Sequence, residues 1–282
     1  MSERPDQTQL SDARAASEGG RTSVIEVEGL RKVYGQAVAV DDVSFTVEAG
    51  ESLAVVGESG SGKTTVARML LGLETPTGGT ITVCGRQRRG GRVSTAERRR
   101  RAREIQIVFQ DPYSSLDKLQ RVGDVVETSL ALHFPLTQAE RGRRALELLE
   151  SVGLAERHAA MLPKQLSGGQ RQRVAIARAL AAEPRVLVLD EAVAALDVSI
   201  QAQILNLLAD IRERGEISYV FITHDLAVVN QISDTAIVMR QGRIVESGPT
   251  AGLLREPAHD YTRALLEAVP RPGWKPTRRT TT

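Results

Sequence analysis

One run of eight residues narrows what this chain can fold into more than any other: Gly57-Glu58-Ser59-Gly60-Ser61-Gly62-Lys63-Thr64. It fits the pattern Gly-x-x-x-x-Gly-Lys-Ser/Thr. Its glycines let the backbone curl until successive N–H groups point inward at phosphate oxygens. A helix starting near Lys63 adds the positive end of its dipole. Such a loop needs a buried strand before it and a helix after it. Residues 53–56 are a short continuous apolar run, and residues 64–73 have helical character. The chemistry places Lys63 on the β- and γ-phosphates and Thr64 Oγ on a magnesium ion. Gly57, Ser59, Gly60, Gly62 and Thr65 complete the cradle. The ligand class is a nucleoside triphosphate.

Two further elements narrow the chemistry. Residues 186–189 are a buried strand that ends in a carboxylate pair, Asp190-Glu191. Asp190 at the strand edge is placed to hold Mg²⁺, and Glu191 to polarise an attacking water. Leu166-Ser167-Gly168-Gly169-Gln170 precedes an arginine- and alanine-rich helix over 170–182. A serine hydroxyl and two glycines at a helix N-terminus form a second anion-binding end. Two phosphate-seeking surfaces on one chain suggest that two chains share each nucleotide.

Apolar runs at 186–189 and 219–222 alternate with helical stretches such as Ile200, Ile204, Leu205, Leu208 and Ile211. That alternation predicts a mainly parallel sheet. Strands over 24–30 and 43–47, with a hairpin at 237–245, predict a β subdomain beside it. Residues 1–22 and 270–282, with the lone Trp274, read as flexible tails. No run approaches 18 apolar residues, so no membrane span is expected. The N-terminus lacks the apolar core of a secretory signal, and only one cysteine occurs, so a cytoplasmic setting is expected.

The net charge of +2 is uneven: residues 86–103 hold nine arginines against Glu97. Few aromatics occur, 3% of the chain, and none interleaves this run, so no nucleic-acid partner is expected. The run reads as a solvated helix or loop.

In this order the motifs resemble those of the nucleotide-binding subunit of an ABC transporter, over roughly residues 24–265. The resemblance implies an ABC-type P-loop NTPase fold. That fold has a mainly parallel α/β core, an N-terminal antiparallel β subdomain, a helical signature subdomain near 112–180 and a C-terminal extension near 248–269. ATP and Mg²⁺ are the implied cofactors. Tyr34 is similar to the aromatic that stacks on adenine. Gln110 resembles the glutamine that approaches Mg²⁺ where membrane subunits dock. Asp197, in Ala195-Leu196-Asp197, resembles the D-loop aspartate, and His224 the histidine that contacts the γ-phosphate. Residues 109–116 and 259–266 resemble the oligopeptide/dipeptide importer branch, which also includes nickel importers.

The implied assembly is a homo- or heterodimer of ATPase subunits, two membrane permease subunits and, indirectly, a solute-binding protein, with this chain at the cytoplasmic face of the membrane. Two positions depart from the branch: Ala192 stands where proline is usual, and Ala194 where serine is usual. Other readings are a phosphonate-breakdown accessory ATPase, a DNA-repair ATPase, a translation factor, or a P-loop kinase or GTPase. Lys63 and Ser167 lie only 104 positions apart, which leaves no room for the long arms of the repair proteins. A single signature argues against the two-cassette translation factors. The signature and His224 argue against a kinase or GTPase.

Overall fold

The computed structural model describes residues 22–88, 90–91, 93–111, 115–215 and 217–268. Residues 1–21 and 269–282, Trp274 among them, and Pro112, Tyr113 and Ser114 of the importer-like run lie outside the described residues.

Strand β1 (Ser23–Tyr34) and strand β2 (Ala37–Glu48) pair antiparallel around a tight turn. With β4 (Gly78–Val83) and β5 (Arg86–Gln87) they form a four-stranded sheet of order β2-β1-β4-β5. One face of β1 is apolar, through Ile25, Val27 and Leu30, all buried. This alternation suits a sheet that covers a core on one side only.

The second sheet holds six strands in the order β10-β9-β3-β8-β7-β6. Its centre is β3 (Ser52–Val56), β8 (Ser218–Thr223) and β7 (Val186–Asp190), each buried at every position. Strands buried on both faces read as continuous apolar runs and belong inside a parallel sheet. Here β3 runs parallel to β8 and to β9 (Thr235–Arg240), and β7 runs parallel to β6 (Ile105–Val108).

The late hairpin does not join the N-terminal β sheet. Its first strand, β9, is buried through Ala236 to Met239 and needs cover on both faces. It therefore lies beside β3, and β10 (Arg243–Pro249) closes that edge antiparallel.

Helix α1 (Lys63–Leu70) leaves β3 through the glycine-rich loop. Helix α2 (Thr95–Glu104) carries most of the arginine run. Helices α3 (Val122–His133), α4 (Gln138–Ser151) and α5 (Gly168–Leu180) share a core with β7, through Val126, Leu130, Leu149, Ile176 and Leu189. Helix α6 (Val198–Gly215) and helix α7 (Leu226–Ile232) flank the large sheet. Helix α8 (Thr250–Arg255) and helix α9 (Asp260–Glu267) end the described chain and pack on β3 and β9 through Leu253 and Tyr261.

The arginine run is not wholly solvated. Glu97 takes Arg100 and Arg101 along the helix surface. Arg88, however, is buried, and its Nη1 lies 2.8 Å from Glu104 Oε2. A charge that has lost its water must find a partner, and Glu104 at the end of α2 supplies it.

Candidate functional site

The parallel strands deliver the chemistry to one edge of the sheet. Ligand sites of open α/β sheets lie beyond the C-terminal ends of the strands. Here β3 ends at the glycine-rich loop, β7 at Asp190-Glu191 and β8 at Thr223-His224. Val108 pairs with Leu189, so Gln110 leaves the sheet at the same edge as Asp190.

Two glycines of the loop are required by close approach. A Cβ on Gly57 would lie 2.2 Å from the Met239 carbonyl oxygen. Gly62, the N-cap of α1, has φ 106°, and a Cβ there would lie 2.6 Å from the Ala39 carbonyl oxygen. That second approach ties the loop to the β1–β2 hairpin. Tyr34 pairs with Ala37 in the same hairpin; the residue is 45% exposed, with Lys32 Nζ 4.8 Å from the ring centroid. A partly exposed ring on the hairpin that touches the loop can meet a planar ligand.

Lys63 Nζ donates to the carbonyls of Gly57 (2.6 Å) and Glu58 (2.8 Å). The ammonium thus rests inside the curl of its own loop. Burial lowers its pKa, while Glu191, Asp190 and Glu58 pull the other way. Thr64 Oγ1 faces Asp190 Oδ1 at 3.5 Å. Burial first, and then Glu191, raise the Asp190 pKa, whereas Lys63 opposes the shift. Two hard oxygen donors, one of them a desolvated carboxylate under repulsion, suit a small divalent cation such as Mg²⁺. The residues present fit that ion.

Glu191 has φ 49°, the left-handed region that non-glycine residues rarely occupy. Its N–H donates to Ile222 O at 2.9 Å, and its carbonyl accepts the Ala194 N–H at 3.1 Å. Strain of this kind costs about 1–3 kcal/mol and clusters at functional sites. Glu191 Oε1 lies 3.3 Å from His224 Nδ1. Both side chains line a cavity of about 660 Å³ with Gly57, Glu58 and Ser59.

The signature stands apart from that cavity. Ser167 caps α5: its Oγ accepts the Gln170 N–H at 3.3 Å, and Gln170 Oε1 accepts the Ser167 N–H at 2.9 Å. This reciprocal pair is a capping box. Gly169 is buried against Ile200, near the start of α6, and the exposed Asp197 lies just before that helix. Ser167, Gly169 and Asp197 thus form a second patch. Asp225, Leu265 and Ala268 also line the main cavity. Asp225 and Ala268 carry no motif, and Leu265 belongs to the importer-like run 259–266 far along the chain, so local sequence holds no signal that they meet the cradle.

The ABC transporter family matches residues 40–194. The oligopeptide/dipeptide transporter C-terminal region matches residues 245–282. The di/tripeptide transport ATP-binding protein DppF of Pseudomonas aeruginosa is 47% identical over 242 residues, 86% of this chain and 74% of that protein. A dimeric, post-hydrolysis ATP-binding cassette bound to ADP and phosphate is 31% identical, with TM-score 0.72, covering 80% of this chain and 98% of the other. The cassette cbiO1 of Clostridium perfringens, part of the ABC transporter complex cbiONQ, is 30% identical, with TM-score 0.75, covering 83% and 91%. The chain belongs to the ABC transporter family and is one of its ATP-binding, ATP-hydrolysing cassettes.

Proposed function

We propose that this cassette energises import of di- or oligopeptides, working as one of two cassettes that share each ATP across their interface. The meeting of Lys63, Glu191 and His224 at one sheet edge carries the hydrolytic part. The likeness to a di/tripeptide transport protein and the C-terminal match support the cargo class, and they disfavour a soluble accessory role.

ATP lies along the loop, with its adenine on Tyr34 and its phosphates under the N–H groups of residues 59–65. Lys63 leaves the carbonyls of Gly57 and Glu58 and takes the β- and γ-oxygens. Thr64, Asp190 and Gln110 would hold Mg²⁺, which when bound spreads charge over the phosphates. Glu191 accepts a hydrogen bond from the attacking water and draws off its proton as the new bond to the γ-phosphorus forms. The bond from phosphorus to the bridging oxygen breaks, and ADP leaves. His224 orients the Glu191 carboxylate and donates to the γ-phosphate.

Ser167 and Gly169 of a second cassette close the other side, with Asp197 at the seam. Loss of phosphate removes the bridge between two helix N-termini, and the halves part.

No helix among the described residues is long and apolar enough to cross a membrane. The membrane path belongs to permease partners, with this chain on the cytoplasmic face. A groove of about 650 Å³ that includes Phe109, Ser115, Leu132 and His133 is their docking site. The test is Glu191→Gln, which keeps the shape and removes the base. It should cut turnover at least a hundredfold, about 2.7 kcal/mol of barrier, and make an ATP-stabilised dimer visible by size-exclusion chromatography. Turnover at the wild-type rate would refute the assignment of Glu191.

A further inference from the structure

We infer that Tyr261 is a positioning residue for ATP binding: from the C-terminal helix, its hydroxyl holds the phosphate cradle in its curled form. Helix α9 is rigidly seated. His259 Nδ1 caps it by accepting the Tyr261 N–H at 3.0 Å. Glu246, on β10, accepts the N–H groups of Ala258 and His259 at 2.8 and 3.1 Å. The Tyr261 ring is buried with Ala54, Val56 and Val238, and the Arg240 guanidinium lies 4.8 Å from its centroid. A rigid element therefore presents the hydroxyl.

That hydroxyl reaches the cradle. It accepts the Glu58 N–H at 3.1 Å, across 203 positions of sequence. The carbonyl of the same residue accepts Lys63 Nζ at 2.8 Å. Glu58 is thus held at both polar groups, by the C-terminal helix on one side and the phosphate-binding lysine on the other. One turn along α9, Leu265 lines the cavity that holds Glu191 and His224. The C-terminal region is then a wall of the nucleotide site. The ring alone would satisfy the packing; among the described residues the oxygen meets the loop, at the Glu58 N–H.

Loss of the oxygen frees the Glu58 peptide to rotate, and ATP must then re-order the loop when it binds. This rests on residues 57–64 being the phosphate cradle. The test compares wild type, Tyr261→Phe and Lys63→Ala as full chains. Binding of a fluorescent, N-methylanthraniloyl-labelled ATP is titrated, the KM and kcat for ATP are measured, and melting is followed without nucleotide. Tyr261→Phe should weaken binding and raise KM by about fivefold, the effect of one hydrogen bond. Its kcat should stay within about twofold, and its nucleotide-free melting temperature within about 2 °C of wild type.

Unchanged or tighter binding by Tyr261→Phe, while Lys63→Ala fails to bind, overturns the role of Tyr261 and leaves the cradle standing. Weak binding accompanied by a large loss of melting temperature also overturns it, because the hydroxyl would then be holding the fold. Normal binding by Lys63→Ala overturns the cradle and this inference with it.

Discussion

Gly169 offers a quantitative test of how the signature is built. A Cβ at this position would lie 2.5 Å from Ile200 Cγ2. Ordinary carbon contacts lie at about 3.5–4.0 Å, so Gly169→Ala creates an overlap of at least about 1 Å. Helix α5 cannot retreat, since its own Ala175, Ile176 and Ala177 are buried to within 1%. Ile200 and the start of α6 must give instead. Overpacking of this kind costs about 1–3 kcal/mol, and the helix-forming gain of alanine over glycine returns about 0.5–1 kcal/mol. A net loss near 1 kcal/mol lowers the melting temperature by about 2–4 °C. A shift of about 1 Å at the segment bearing Asp197 should cut ATP turnover by about tenfold to a hundredfold. The built methyl points into this chain and not outward. Gly169→Ala/Ile200→Ala should therefore recover turnover and regain stability relative to the sum of the single changes. Melting curves and phosphate-release assays on the four proteins of the cycle read both quantities. A Gly169→Ala protein that melts and hydrolyses like wild type refutes the overlap. A double variant that regains stability without turnover shows that the missing side chain serves a neighbour across the interface and not Ile200.

Two further outcomes follow from charge burial. Arg88→Met leaves Glu104, among the described residues, with Arg100 and Arg86 at 3.4 and 3.7 Å. It should cost about 2–3 kcal/mol in urea unfolding, below the 3–5 kcal/mol of a wholly broken buried pair, while Arg88→Met/Glu104→Leu recovers most of it. Equal losses in the two proteins would count against the pairing. Asp190→Asn should stabilise the nucleotide-free protein while abolishing turnover. Burial and Glu191 raise the Asp190 carboxyl above its ordinary 3.8. Between 3.8 and that raised value the folded state binds more protons than the unfolded, so stability falls as pH rises through the window. Asparagine escapes that loss. The loss of one attraction to Lys63 is the smaller effect, since Glu191 outweighs Asp190 there. A gain in melting temperature at pH 7 that vanishes in strong acid is expected in melting scans. No gain at pH 7, or one undiminished in strong acid, would contradict it.

What the sequence discloses here is what short spacing encodes. The loop over 57–64, the strand before Asp190 and the serine cap of α5 are each specified within about ten residues, and each lies where local pattern puts it. Contacts across the chain are not written locally. Nothing near Arg88 says that it folds onto Glu104, because nine arginines in a row of polar residues look alike before packing separates them. Strand β6 was hidden for a related reason: α2 passes straight into Ile105 with no turn residue between them. The hairpin of β9 and β10 showed its turn but not its sheet. Pairing is decided by which faces are buried, and Ile237 to Met239 are buried on both. Likewise Asp190, Glu191 and His224 converge only because β7 and β8 are neighbours in the parallel sheet, which chain order does not state.

The turn at Glu191 shows how a departure from a pattern can leave the geometry intact. A proline at 192 would fix its own φ and push the residue before it toward extended backbone. This chain has Ala192, and Glu191 lies in the left-handed region at φ 49°. Hydrogen bonds define the turn in place of a ring: the Glu191 N–H binds Ile222 on β8, and the Ala194 N–H closes back onto the Glu191 carbonyl. Ala192 and Val193 beneath it are each 2% exposed, so the turn is also pinned by packing. Alanine in place of the ring also leaves the unfolded chain about 0.4–1 kcal/mol more entropy to be lost on folding. Ala194 is exposed and lacks the hydroxyl expected there, so its consequence belongs to the surface beside Asp197 and not to the carboxylate. The two replacements therefore bear on different properties. The first bears on the stability of the strained turn, and the second on how that turn meets whatever lies across the Asp197 face. The Glu191–His224 contact at 3.3 Å is itself held from the ends of the neighbouring strands β7 and β8.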